Sequence, residues 1–238
     1  MASRYDLGAC SGPYCPYIHA ADDTPRMRPW ALPRRRLTHY LLVVSLDGAE
    51  RIVVDGRAWV VPPGTGYLIQ PGALADLGSA DGNRPVWVHF DVVYDARRDQ
   101  HPVAGAYAAE LGERAPFLQP DARATWGVDL PVLVEAALHP LLRQRLPRLV
   151  AAWRQGGPVA DLVANHELAG LLVAMVERAT SGGSSGDDAP ARLARAERAA
   201  LRALDCDFGV SEFAAAAGLS RSRFSAVFAA ARGMGPAA

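Results

Sequence analysis

The sequence predicts an α+β protein: a small β-barrel or sandwich closed by C-terminal helices, followed across a linker by a short all-α unit. Three observations predict it. Residues 37–93 break into short apolar stretches separated by tight-turn dipeptides. From residue 141 the apolar spacing changes to three and four, the helical period. Between them and the tail lies Ser181-Gly182-Gly183-Ser184-Ser185-Gly186-Asp187-Asp188, a Gly/Ser run with two acids that cannot bury surface and reads as a flexible linker. The chain therefore divides into residues 1–180, a linker at 181–190, and a tail at 191–238.

Taken in order, the first residues read as a mobile arm carrying Cys10, Cys15 and His19, a spacing that matches no standard zinc knuckle. Residues 37–46 read as a strand. Residues 51–54 and 57–61 form a hairpin through Asp55-Gly56, a dipeptide suited to a two-residue turn. Pro62-Pro63-Gly64 and Pro71-Gly72 bracket a short strand at 66–70. In the last strand, period-two alternation sets Trp87, His89 and Asp91 on one face and Val86, Val88, Phe90 and Val92 on the other. Residues 141–153 and 159–179 read as helices. On the second, Leu162, His166, Ala169, Leu172 and Val176 share one face and Leu168, Leu171 and Met175 widen it. Such a face suits either packing on the chain's own barrel or a homodimer contact.

Half of the 238 residues are apolar and the net charge is zero, so the molecule has no global field and any nucleic-acid binding must be local. There is no lysine, which excludes Schiff-base chemistry, pyridoxal-phosphate attachment and a P-loop. Three scattered cysteines, Cys10, Cys15 and Cys206, do not make a disulfide scaffold and fit a reducing compartment. Continuous apolar runs fall short of the ~20 residues a bilayer requires, and no basic-then-apolar leader opens the sequence. A cytoplasmic location is the expectation.

The tail concentrates positive charge: residues 191–238 carry seven arginines against four acidic residues. A helix is expected over 192–204, a second opening at an N-cap Ser211 and ending at Gly218, and a third capped by Ser220. Phe224, Val227 and Phe228 recur at i, i+3, i+4 and point inward against Phe213 and Ala214. This leaves Arg221, Ser222, Arg223 and Ser225 facing outward. An ordinary helical hairpin with solvated arginines has the same pattern. The stretch from Ser211 through Phe228, ending Arg232-Gly233-Met234-Gly235-Pro236, resembles the first helix-turn-helix of AraC/XylS-type transcription regulators. That resemblance implies double-stranded DNA as a partner, with Ser220, Arg221, Ser222, Arg223 and Ser225 as the contact set. It also implies a linker helix and a second helix-turn-helix that are not in these residues, so DNA binding by this half is expected to be weak. Ala226, Ala229, Ala230 and Ala231, where the family commonly has basic or large polar residues, offer a base edge no hydrogen bonds.

Residues 34–93 resemble the same family's cupin-like ligand domain through an arginine, Tyr40, the hairpin Val54-Asp55-Gly56-Arg57, Gln70-Pro71-Gly72 and Trp87-Val88-His89-Phe90. The resemblance implies a barrel that senses a small, flat or sugar-like effector, with Arg34, Tyr40, Trp87 and His89 as candidate ligand-binding residues. Trp87 serves equally well as core filling. Related barrels that act as enzymes hold a metal through a His-x-His pair, a glutamate and a later histidine. Here His39-Tyr40-Leu41 and Ala75-Asp76-Leu77 stand instead, so no metal, no cofactor and no catalytic residue are expected. The alternatives to a DNA-binding sensor are a cupin-fold metal-dependent enzyme and a ligand-binding or dimerising module without DNA binding.

Overall fold

The computed structural model describes residues 14–95, 110–182, 193, 196, 209–232 and 234–236. Cys10, Cys206, the linker from residue 183 and most of the helix expected over 192–204 lie outside them. The chain divides into two units, Met1–Thr180 and Ser181–Ala238.

Among its described residues the first unit contains eight strands: β1 (Tyr14–Asp22), β2 (Trp30–Arg36), β3 (Tyr40–Asp47), β4 (Glu50–Val54), β5 (Arg57–Val61), β6 (Gly66–Ile69), β7 (Leu74–Ser79) and β8 (Arg84–Val93). They form two four-stranded antiparallel sheets, ordered β1-β8-β3-β6 and β2-β7-β4-β5. That order is the double Greek key of a jelly roll, the architecture of cupins among others. The β4–β5 hairpin turns at Asp55 and Gly56, both with positive φ (48° and 81°), the two-residue turn whose twist matches the flanking strands.

The fold has two cores because the first sheet is covered on both faces. Leu37, Leu41, Val43, Ile52, Tyr67 and Ile69 point between the sheets. Tyr40, Leu42, Leu68, Val86, Val88 and Phe90 point the other way, beneath α1 (Ala122–Trp126), α2 (His139–Gln155) and α3 (Pro158–Gly182). Gly66 marks how closely α2 lies on the sheet: a Cβ there would sit 2.6 Å from the Val43 carbonyl and 2.9 Å from a Leu142 methyl.

Three strands were not expected. Residues 14–22, read as a mobile arm, pair with β8 instead; two register shifts break their alternation. β2 contains Pro33, three arginines and a shift between Leu32 and Arg35. β7, Leu-Ala-Asp-Leu-Gly-Ser, is poor in the branched and aromatic residues that signal a strand.

On α3 the inward face is Ala160, Ala164, Leu168, Leu171, Leu172 and Met175. Leu172, expected on a stripe with Leu162 and Val176, is thus core, whereas Leu162 is 71% and Val173 56% exposed. Residues Pro158–Ser181 are long and apolar enough to cross a membrane by length and composition, although no continuous apolar run reaches that length.

In the second unit, α4 (Val210–Ala217) and α5 (Arg221–Arg232) are joined by a short turn. Gly218 ends α4 with left-handed φ 65°, its N–H on the Ala214 and Ala215 carbonyls, as expected of a C-terminal glycine. Ser220 Oγ accepts from Arg223 N at 3.3 Å and so caps α5. Ser211 does not cap α4. The helix begins two residues earlier, with Gly209 at the cap and the Glu212 carboxylate accepting its N–H at 3.1 Å. Phe224 lies at the centre of this small core, with Phe213 and Phe228 rings 6.0 and 5.7 Å away and buried Leu193, Ala196, Ala214 and Ala217 around it.

Candidate functional site: a charged pocket between the sheets

Strand phase decides which polar side chains enter the barrel. Glu50 is in phase with Ile52 and Val54 on β4, and Tyr67 with Ile69 on β6, so both point between the sheets. The Tyr67 hydroxyl donates to Glu50 Oε1 at 2.8 Å, and Asn83 Nδ2 donates to Oε2 at 3.2 Å. Asn83 Oδ1 in turn accepts from the Trp30 indole at 2.8 Å. Arg26 lies over the Trp30 ring, 4.3 Å from its centre. Arg26, Trp30, Glu50 and Tyr67, with Arg35, Trp87, His89 and the apolar Leu41, Val43, Leu77 and Pro85, line a narrow pocket of about 240 Å³ that includes its open mouth.

Burial dominates the protonation of this site. It pushes the Glu50 carboxyl up to about 7, even though Tyr67, Asn83, Arg26 and Arg35 all favour the anion. Tyr67 is pushed well above its usual value by burial and by Glu50. His89 is held well below the ordinary histidine value, first by burial and then by Arg35, and stays neutral.

Behind His89 runs a buried polar chain. His39 Nε2 and His89 Nδ1 share a 2.8 Å hydrogen bond, and Thr38 Oγ1 stands 3.4 Å from His39 Nδ1. His19 Nε2 meets Asp91 at 3.0 Å, with the His19 and His39 rings 5.4 Å apart. Among the described residues, no group of three His, Cys, Asp or Glu side chains is placed to hold a metal.

Of the four candidate ligand residues, Trp87 and His89 line the pocket. Arg34 does not: it has φ 42° at the β2 irregularity, its side chain is exposed, and its backbone N–H bonds Asp76. The extra residue at that bulge shifts the phase, so Arg35 enters the pocket instead. Tyr40 points to the other core, stacked on Phe90 with its hydroxyl on the Pro120 carbonyl at 2.8 Å. Sequence reading missed Arg26, Trp30, Arg35, Glu50 and Tyr67. For Glu50 a signal existed: an acid in phase with two apolar inward residues of a hairpin strand. In the second unit, Ser220, Arg221, Ser222 and Arg223 are exposed and Ser225 is half-buried.

No curated protein matches the chain. Among solved structures, the chain is similar to an ethanolamine utilization protein Q from Salmonella typhimurium, at 17% identity over 32% of this chain and 54% of that one, with a TM-score of 0.22. It is also similar to a conserved protein of unknown function from Streptococcus pyogenes, at 15% identity over 40% and 91%, TM-score 0.28. A cupin superfamily protein from Desulfitobacterium hafniense is similar at 11% identity over 37% and 83%, TM-score 0.27. The chain spans about half the length of the Salmonella protein. Residues 26–117 match the family model of the AraC-like ligand binding domain.

Proposed function

We propose that this protein is an effector-responsive transcription regulator of AraC type, in which the barrel binds a small molecule and the C-terminal helices contact DNA. One observation carries the reading: every residue lining the pocket between the sheets falls within residues 26–117, the stretch that matches the ligand-binding domain model. Sensing is favoured over metal-dependent catalysis by how the imidazoles are used. His39 and His89 bond each other and His19 is spent on Asp91, whereas a metal needs such nitrogens converging on one point.

For DNA, support comes from α5, whose first turn presents Arg221, Ser222 and Arg223 to solvent while Phe224 anchors the helix from behind. Work on DNA places the protein in the cytoplasm. The exposed apolar side chains of α3, among them Val159, Leu162 and Val173, are the surface proposed for a homodimer.

The test is a titration of the 238-residue chain against labelled DNA from upstream of its own gene, at two salt concentrations, with a scrambled duplex as competitor. The regulator reading expects salt-dependent binding that the scrambled duplex competes less well, and weakening in Arg221→Ala/Arg223→Ala. Equal affinity for both duplexes, unchanged in that variant, would remove DNA recognition from the reading.

A further inference from the structure

The hydrogen bonds around Glu50 leave its carboxyl one place to carry a proton. The Trp30 indole N–H only donates, and at 2.8 Å from Asn83 Oδ1 it fixes which way the Asn83 amide faces. The Asn83 backbone is held as well, exchanging N–H···O bonds of 2.8 and 3.3 Å with Arg26. Asn83 Nδ2 therefore donates to Glu50 Oε2, and a proton on that oxygen would meet a donor. Oε1 is left, facing the Tyr67 hydroxyl at 2.8 Å. A hydroxyl can donate or accept, so protonation at Oε1 reverses this one bond: the carboxyl donates, and the phenol turns its own proton away.

Tyr67 stands where that reversal reaches beyond the pocket. Its strand, β6, is short and lies at the edge of its sheet, where Leu133 bridges to Tyr67 itself. Leu68 N–H donates to the Val132 carbonyl at 2.8 Å, and Val134 N–H to the Gly66 carbonyl at 2.9 Å. The Val134 carbonyl accepts in turn from Nε2 of His139, the first residue of α2, at 2.8 Å. We infer that Glu50 is a proton-operated switch, whose carboxyl reverses the Tyr67 hydrogen bond and so acts through β6 on the lead into α2. The inference rests on the sensing role proposed above and names the proton as an input to it.

The surroundings of Glu50 make it the group that answers pH. Facing it are Tyr67 from β6, Asn83, Arg35 from β2 and Arg26 from the segment before β2, with His89 from β8 in the same lining. The arginines keep their charge near neutrality, burial and Glu50 hold Tyr67 well above its usual value, and burial and Arg35 hold His89 neutral. Glu50, which burial pushes up to about 7, is left to change charge. His139 lies further along the path and donates to Val134 whether neutral or charged. A proton, moreover, needs no cavity.

The experiment compares the full chain with Glu50→Gln and Tyr67→Phe, without DNA. A glutamine amide accepts from Asn83 and donates to Tyr67, the pattern of the protonated acid. Infrared difference spectra of the wild type from about pH 6 to 8 should show a carboxylic-acid band that fades as pH rises and is missing in Glu50→Gln. Amide hydrogen exchange at Leu68 and Val134, corrected for its intrinsic pH dependence, should change by about threefold or more over the same range. Glu50→Gln should keep the wild type's low-pH value throughout. Tyr67→Phe should keep the infrared band, fading at higher pH now that one donor to the anion is gone, and show no exchange change across that titration. An exchange change that survives in either variant overturns the switch, as does a wild type lacking the band or the change. Near-UV circular dichroism checks folding; if one variant does not fold, the wild type and the other variant decide. The DNA titration judges the regulator role separately, since exchange reads the switch whether or not DNA is recognised.

Discussion

Glu50 shows how one buried acid sets a pH dependence. Its folded value of about 7 lies above the ordinary 4.5, so between these values the folded chain holds a proton that the unfolded chain has lost. Its contribution to stability is fully present below pH 4.5 and is lost as pH rises through about 7, at an upper bound of roughly 3 kcal/mol. His89 acts in the opposite sense. Held well below 6.5, it binds fewer protons folded than unfolded, and stability falls as pH drops below about 6.5. Glu50→Gln should remove the first effect and leave the second. Chemical denaturation from pH 5 to 8 should then show the variant gaining stability toward pH 7 and holding it, and a decline above pH 6 would show that another group carries the loss. The same residue scale explains the Arg34 and Arg35 exchange: one bulge residue reverses which side chain faces in.

At the scale of elements, close packing and exposure give separable predictions. Gly66→Ala forces a Cβ against the Val43 carbonyl and Leu142, so it should cost about 1–3 kcal/mol and lower Tm by several degrees, read by calorimetry. On α3, Leu172→Glu buries a charge in the core and should unfold the first unit instead of splitting a dimer. Leu162→Glu and Val173→Glu sit on the exposed side and should change stability by about 0.5 kcal/mol or less. Sedimentation of those two variants is the measure of the dimer proposal: monomers support it, and an unchanged dimer puts the contact elsewhere. In the C-terminal unit, Phe224→Ala removes the centre of a core made mostly of alanines and should cost about 3–5 kcal/mol.

At the scale of the whole molecule, neutrality overall conceals an uneven distribution, with arginine in excess over residues 191–238 and the remainder correspondingly acidic. An electrostatic contact confined to one unit predicts a modest salt dependence. Removing Arg221 and Arg223 together should reduce the slope of log affinity against log salt by about 1–2, because each arginine releases roughly one counterion from a phosphate.

The sequence by itself determined what local chemistry controls. The Asp55-Gly56 hairpin, the Gly218 stop, the Ser220 cap, the inward spacing of Phe224 and the shared face of Trp87 and His89 each follow from a few adjacent residues, and the structure has all of them. Tertiary structure decided what depends on which surface covers which. β3 is buried on both faces, so its unbroken apolar run could not tell the barrel interior from the helix-covered side, and Tyr40 went to the latter. Bulges in β1 and β2 erased the alternation that would have revealed those strands and placed Arg35. Arg26, Trp30, Glu50 and Tyr67 come from separate elements and become one charged site only when the two sheets close over them, because pocket membership is a property of strand order and register, not of spacing along the chain.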